Sequence, residues 1–205
     1  MTRSLPGIPQ LAVAASQISL SVHALAAPEA NFASQAISER LEKDEWPLVR
    51  ASAADALSRY PTGAALDQPL AKALSDDSAL VRGRSIRALG ERRASGVASR
   101  VRDRLVDAEE WPEVRAEAAR ALGALCDAES ADVLAAFAKK LADPMASPDA
   151  QLIATGAVMS LGRLAQPNLA QQLAPLTGKK APPQARRAAA LALATRLTCR
   201  AASKR

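Results

Sequence analysis

The side chains that most often perform catalysis or bind metals are scarce in this chain of 205 residues. It holds one histidine, His23, and two cysteines, Cys126 and Cys199. It has no CxxC, HExxH or HxxxH pair, and a zinc or iron site needs several such ligands close together. The phosphate-binding patterns GxGxxG and GxxxxGK[ST] are missing as well. We therefore expect no catalytic residues, no cofactor and no metal site.

The composition indicates what kind of fold could position any functional side chain. Hydrophobic residues make up 49% of the chain but aromatic residues only 2%, and alanine supplies much of the apolar share. Such a composition favours helices that pack closely, because strands prefer branched and aromatic residues. No run reaches the roughly 18 continuous apolar residues of a membrane span. The sequence therefore predicts an all-α protein.

One segment recurs five times and organises the chain. Its copies begin at Val49, Val81, Val114, Ile153 and Ala185. Counted from that first residue, an arginine follows at +1 in four copies, a leucine stands at +8 in all five, and a glycine at +9 in three. Positions 0, +4, +5 and +8 share one face of a helix. The pattern predicts a helix, here called helix B, whose small residues let a neighbouring backbone approach.

A second apolar-periodic segment precedes each copy, as Leu66, Leu70 and Leu74 do before Val81. A polar turn rich in aspartate, serine and proline separates the two segments, which is typical of one helix ending and another beginning. Each unit is thus helix A, turn, helix B. Because one pair cannot bury its apolar face alone, we expect the pairs to stack into a solenoid.

The recurring pattern D…xVRxxAxxALG, clearest over 44–125, resembles the HEAT-like repeat named after phycobilisome lyases. The resemblance implies an α-α superhelix of the HEAT/armadillo type, here about five helix pairs plus an N-terminal helix. It also implies a ladder in which each turn aspartate pairs with the arginine that follows. The implied pairs are Asp44 with Arg50, Asp76 or Asp77 with Arg82, and Asp107 with Arg115. The fourth copy departs, because Ala154 stands where the others carry arginine.

The domain boundaries follow from the repeats: an N-terminal segment 1–28, a repeat domain 29–200 and a basic tail 201–205. Two interpretations of 1–28 stay open. Stepping back one repeat places Leu25 at +8, which predicts a capping helix that extends the array. The stretch Ala24-Leu25-Ala26 after an apolar run is instead typical of a secretory signal. A capping helix fits a cytoplasmic protein, and a signal would mean export.

The two cysteines are expected on different repeats. Cys126 follows helix B of the third repeat, and Cys199 lies near the end of helix B of the fifth. Helices stack at about 10 Å, so the two should lie about 20 Å apart, beyond the roughly 7 Å between the Cα atoms of a disulfide. We therefore expect two unpaired thiols, which fits a reducing compartment.

Charge is uneven along the chain, whose net charge is +6. Two strongly basic stretches, 81–104 and 179–205, lie within an otherwise acidic sequence. On the predicted B helices, Arg84, Arg87 and Arg120 fall off the apolar face at positions +3 and +6. They form a candidate binding patch for an acidic protein or a nucleic-acid backbone. The alternative is that they only keep an alanine-rich surface in solution.

The function predicted from these features is a non-catalytic scaffold that holds a protein or peptide partner. A second hypothesis is binding to a nucleic-acid backbone through the basic second repeat and the C-terminus, although the aromatic residues that stack on bases are missing. A third is a bilin-lyase-like activity, which the resemblance suggests and no residue supports. Deoxyhypusine hydroxylase-like activity is disfavoured, since such enzymes use His-Glu metal motifs. Trp46 and Trp111 occupy the same register, three residues before the anchor, and are expected to cover their turns as structural residues.

Overall fold

The computed structural model describes residues 32–60, 63–94, 96–195 and 199, which form ten α-helices and no strand. Helix α1 covers residues 32–43. The others are α2 (Pro47–Leu57), α3 (Ala64–Lys72), α4 (Ala79–Glu91), α5 (Ala98–Val106), α6 (Pro112–Ala124), α7 (Ala131–Ala138), α8 (Pro148–Leu164), α9 (Leu169–Thr177) and α10 (Pro183–Leu193). Short 3-10 turns at Ala73–Ser75, Ala128–Ser130 and Lys139–Ala142 extend or precede the A helices. None of the described helices is long and apolar enough to cross a membrane.

The helices alternate as the sequence predicts, with odd-numbered helices as A and even-numbered helices as B. Each B helix packs against the next one along the array, and from α4 onward each also packs against the A helix that precedes it. The +8 leucines of the first four repeats, Leu57, Leu89, Leu122 and Leu161, are buried in the core between these layers. The fifth, Leu193, is 47% exposed, because it ends the last described helix. The prediction of an all-α solenoid of five pairs is confirmed.

Proline begins four of the five B helices. Pro47, Pro112, Pro148 and Pro183 each occupy the first helical position, where the missing N–H is not needed and the fixed φ favours the helix. These prolines therefore mark where four of the five B helices begin.

The glycines at +9 bring the B helices of the C-terminal repeats very close. A Cβ atom added to Gly123 would lie 2.6 Å from the Cα of Ser160, and one added to Gly162 would lie 2.7 Å from the carbonyl oxygen of Ala192. The Ser160 hydroxyl donates a 2.6 Å hydrogen bond to the carbonyl of Ala119 on α6. The prediction that small residues at this position admit a neighbouring backbone is confirmed.

The expectation of two unpaired thiols is wrong. Cys126 and Cys199 form a disulfide, with their Cα atoms 5.5 Å apart. The estimate of about 20 Å assumed that helix B of the fifth repeat carries Cys199, but α10 ends at Leu193. Cys199 is therefore not held at the helix stacking distance, and it reaches α6, where its Sγ lies 3.6 Å from the carbonyl of Gly123. The argument from free thiols to a reducing compartment no longer holds.

Both interpretations of segment 1–28, together with His23 and the tail 201–205, fall outside the described residues. They remain predictions.

Candidate partner-binding surface

The turns between A and B helices are joined to one another by arginine side chains. Turn 1 comprises residues 44–46, turn 2 residues 76–78 and turn 3 residues 107–111. Arg50, at the start of α2, lies between turns 1 and 2. Its Nη1 donates to the carbonyls of Asp44 and Glu45, at 3.0 and 3.3 Å. Its Nε and Nη2 donate to the two carboxylate oxygens of Asp76, at 2.8 and 2.7 Å.

Arg82 repeats this geometry one unit further along. Its Nη1 donates to the carbonyls of Asp76 and Asp77, at 2.7 and 3.1 Å. Its Nε and Nη2 donate to the two carboxylate oxygens of Glu110 in turn 3, at 2.7 and 2.6 Å. Such bidentate pairing is strong and directional. Turns 1, 2 and 3 are therefore held side by side in a fixed order.

Burial and the neighbouring arginines shift the pKa values of the ladder carboxyl groups, Asp76 and Glu110, in opposite directions. Burial alone would raise the pKa of Glu110, but hydrogen bonds from Arg82 and from the Trp111 backbone N–H outweigh it and lower that pKa. Burial would likewise raise the pKa of Asp76, and the hydrogen bonds from Arg50 and the Ser78 backbone N–H bring it below its ordinary value. Both groups are therefore charged at neutral pH and part of the ladder.

The ladder differs from the one that the family resemblance implied. The carboxylate partner of each arginine lies one repeat further on, since Arg50 pairs with Asp76 and Asp77 instead of Asp44. The expected partner residues Asp44 and Asp107 instead accept hydrogen bonds from backbone N–H groups two residues along, at Trp46 and Glu109, each at 3.0 Å. Asp76 does both, because it accepts from the Ser78 backbone N–H and from Arg50, so the backbone bond alone does not decide which carboxylate an arginine meets.

The third step of the ladder is not formed. Arg115 donates to the carbonyl of Leu105, at 3.0 Å, and its guanidinium lies 5.5 Å from the centre of the Phe137 ring. The expected pair with Asp107 is thus wrong. Within the described ranges, the ladder therefore joins turns 1, 2 and 3 and is not continued by Arg115.

Large apolar side chains are exposed along the three joined turns. Trp46 is 65% exposed, Leu48 69%, Leu80 43% and Trp111 62%. We call these four residues, with the exposed carboxylates Glu45, Asp77, Glu109 and Glu113, the turn edge. The expectation that the tryptophans cover their turns stays a prediction, since both side chains are largely exposed. Because Pro47 and Pro112 begin α2 and α6, each tryptophan directly precedes a B helix.

The arginines predicted as a binding patch are brought together, but with acidic partners. Arg84 pairs with Asp55 across α4 and α2 at 3.0 Å. Arg87 on α4 and Arg120 on α6 both pair with Glu117. We call these five residues the B face. Three arginines and two carboxylates alternate across neighbouring helices, so the surface is nearly neutral instead of basic.

The described residues offer no metal site as a second candidate. No group of three or more His, Cys, Asp or Glu side chains in these ranges is arranged to hold a metal ion. The sequence did not predict one buried polar network. In it, the Arg92 side chain donates to Asp67 and to the carbonyls of Leu57, Tyr60 and Gly63. It ties α4 to the turn between α2 and α3, and its role is structural.

Sequence reasoning also missed Leu48 and Leu80 as exposed residues and Glu110 as the ladder carboxylate. A signal for the leucines existed, because both precede the repeat anchor by one position and lie off the buried face of helix B. No comparable signal marked Glu110, since turn 3 offers three acidic residues and only their three-dimensional order decides which one meets Arg82.

Comparison with known proteins agrees with this architecture. Residues 66–146 match the family of HEAT repeats. The chain is similar to the structure of human deoxyhypusine hydroxylase in complex with glycerol, with a TM-score of 0.56 and 24% sequence identity over 82% of this chain and 64% of that one. No curated protein matches the chain. At this identity the structural likeness concerns the fold alone. Residues 66–146 therefore match HEAT repeats, and the helix pairs on either side of this segment continue the same all-α solenoid.

Proposed function

We propose that the protein is a non-catalytic scaffold that holds a protein partner on the turn edge. HEAT repeats generally mediate protein interactions, and a stacked array offers an extended surface for them. The single observation that carries the proposal is the row of Trp46, Leu48, Leu80 and Trp111, all exposed on turns that two largely buried arginine side chains hold together. Exposed tryptophans on a rigid support are the residues that most often dominate binding energy at protein interfaces.

The B face supports the proposal less well. Its arginines already have acidic partners, so an acidic protein or a phosphate backbone would have to displace Asp55 and Glu117. Binding to nucleic acid therefore gains no support from Arg84, Arg87 or Arg120. Bilin-lyase-like activity gains none from the described residues either.

Site-specific photocrosslinking tests the proposed surface. A photoreactive amino acid replaces Leu80 on the turn edge or, as a control of comparable exposure, Leu191 on α10. In the cells that produce the protein, we expect the Leu80 position to yield an adduct of discrete mass, which the substitutions W46A and W111A abolish. Adducts of the same mass from both positions, or none from Leu80, would count against the turn edge as the binding surface.

A further inference from the structure

We propose that the turn edge binds an extended, basic segment of a protein partner, one in which lysine or arginine residues alternate with apolar residues. This inference rests on the proposed function and adds the chemistry of the segment that is bound. It follows from the charge of the turns, from the two exposed tryptophans and from the way in which the ladder spaces them.

The turn edge is strongly acidic. The segments 42–48, 75–80 and 106–113 contain nine carboxylates and one lysine, Lys43. Six of these carboxylates already have an ion pair with an arginine or lysine, namely Glu42, Asp44, Asp76, Asp77, Asp107 and Glu110. Within the described residues, Glu45, Glu109 and Glu113 are exposed and have no ion pair. Unpaired exposed carboxylates beside apolar side chains select a partner that brings positive charge.

The tryptophans fit the same partner chemistry. A lysine or arginine cation is attracted to the face of an exposed indole ring, more strongly than to other aromatic rings. Glu45 precedes Trp46 directly, and Glu109 lies two residues before Trp111. Each indole therefore has a carboxylate nearby in its own turn, so one cation can interact with both.

The spacing of these sites favours an extended segment. Turns 1 and 3 are two repeats apart, which corresponds to about 20 Å at the ordinary helix stacking distance. An extended chain covers about 3.3 Å per residue. Roughly six residues would therefore separate the side chain at Trp46 from the one at Trp111, and the apolar side chains between them would lie over Leu48 and Leu80.

The chain contains only two tryptophans, Trp46 and Trp111, so intrinsic fluorescence reports directly on the turn edge. The probes are three synthetic peptides of ten residues, in which leucine alternates with arginine, with glutamate or with serine. We expect the arginine peptide to shift the tryptophan emission to shorter wavelength, and added salt to weaken its binding because the charges are exposed. The variants W46F and W111F should each retain part of the shift.

A charge-matched pair of variants separates a local effect from a global one. The edge variant carries E45Q, E109Q and E113Q. The control variant carries E39Q, D103N and D132N, which remove three exposed carboxylates from A helices α1, α5 and α7. We expect the edge variant to raise the Kd of the arginine peptide about tenfold and the control variant to change it less than twofold. Equal weakening in both variants would overturn the inference.

The other outcomes distinguish this inference from the proposed function. If the serine or glutamate peptide binds as tightly as the arginine peptide, the inference fails, while the turn edge remains a binding surface. If no peptide alters the emission, the inference fails, and photocrosslinking from Leu80 decides the proposed function separately.

Discussion

The two halves of the array join their repeats by different means. In the N-terminal half, the bidentate pairs of Arg50 and Arg82 connect one turn to the next. In the C-terminal half, Gly123 and Gly162 let the B helices meet almost backbone to backbone, and a disulfide adds a covalent link. Polar joints at the turns leave large side chains such as Trp46 exposed beside them. Backbone packing along the helices needs no such turn chemistry, and the turn edge lies where the ladder runs.

Removal of the disulfide should lower the free energy of unfolding more than any other change, and the loss should destabilise the C-terminal half. The bond joins residues separated by 73 positions in the sequence, and a loop of that length is expected to contribute about 4 kcal/mol through the unfolded state. We expect the double variant C126S/C199S to lower the free energy of unfolding by this order in urea titrations. The variant should also be insensitive to reductant. A wild-type protein with two free thiols by mass spectrometry under oxidising conditions would contradict the bond.

The substitution R82M should destabilise the N-terminal half, because it removes the Arg82–Glu110 pair that joins turns 2 and 3. It leaves the Glu110 carboxylate, whose side chain is 1% exposed, without its main partner, and an unpaired buried charge costs about 3 kcal/mol or more. Chemical denaturation measures the loss. The matched control is R100M, because Arg100 is exposed on α5 and should cost little. The double variant R82M/E110L should recover part of the loss, and failure to recover any would contradict a role for charge burial.

The substitution G123A should disturb the closely packed half by a smaller amount. Its new Cβ atom would lie 2.6 Å from the Cα of Ser160, so α6 and α8 must separate, at a cost of about 2 kcal/mol. The control is G178A, because a Cβ atom there meets nothing within 4 Å. Thermal unfolding of the two variants side by side measures the difference. Equal midpoints would show that the helices move apart without cost.

Acid should lower the free energy of unfolding through the ladder carboxylates of the N-terminal half. We expect this effect to be smaller than those of the three sets of substitutions. The pKa values of Asp76 and Glu110 are lowered in the folded chain, so the unfolded chain binds more protons once the pH approaches their ordinary values. The stability from these groups is complete above about pH 5 and is lost as the pH falls through the lowered values. We expect E110Q to flatten the fall in unfolding free energy below pH 5, while G123A leaves its slope unchanged. If the unfolding free energy of E110Q fell with pH as steeply as that of the unchanged protein, the lowered pKa of Glu110 would be contradicted.

The helices could be predicted from the sequence because their signal is local. The spacing of Leu57, Leu89, Leu122 and Leu161 predicts the buried face of helix B correctly. The prolines of the turns mark where most B helices begin. The partners of the ladder arginines could not be predicted, because the choice between Asp107 and Glu110 depends on how two repeats are placed. The disulfide to Cys199 was missed for a related reason, because it depends on where Cys199 lies once α10 has ended at Leu193.

The disulfide also bears on how the array opens. Stacked repeats share only nearest-neighbour contacts, so an end unit can ordinarily detach by itself. The bond from Cys126 to Cys199 encloses α7, α8, α9 and α10 in one covalent loop, and a detached α10 would remain tethered beside α6. Repeats four and five should therefore open as a single cooperative block. In hydrogen exchange, amides of α8 and α10 would share one opening free energy, whereas those of α2 and α4 would be free to differ.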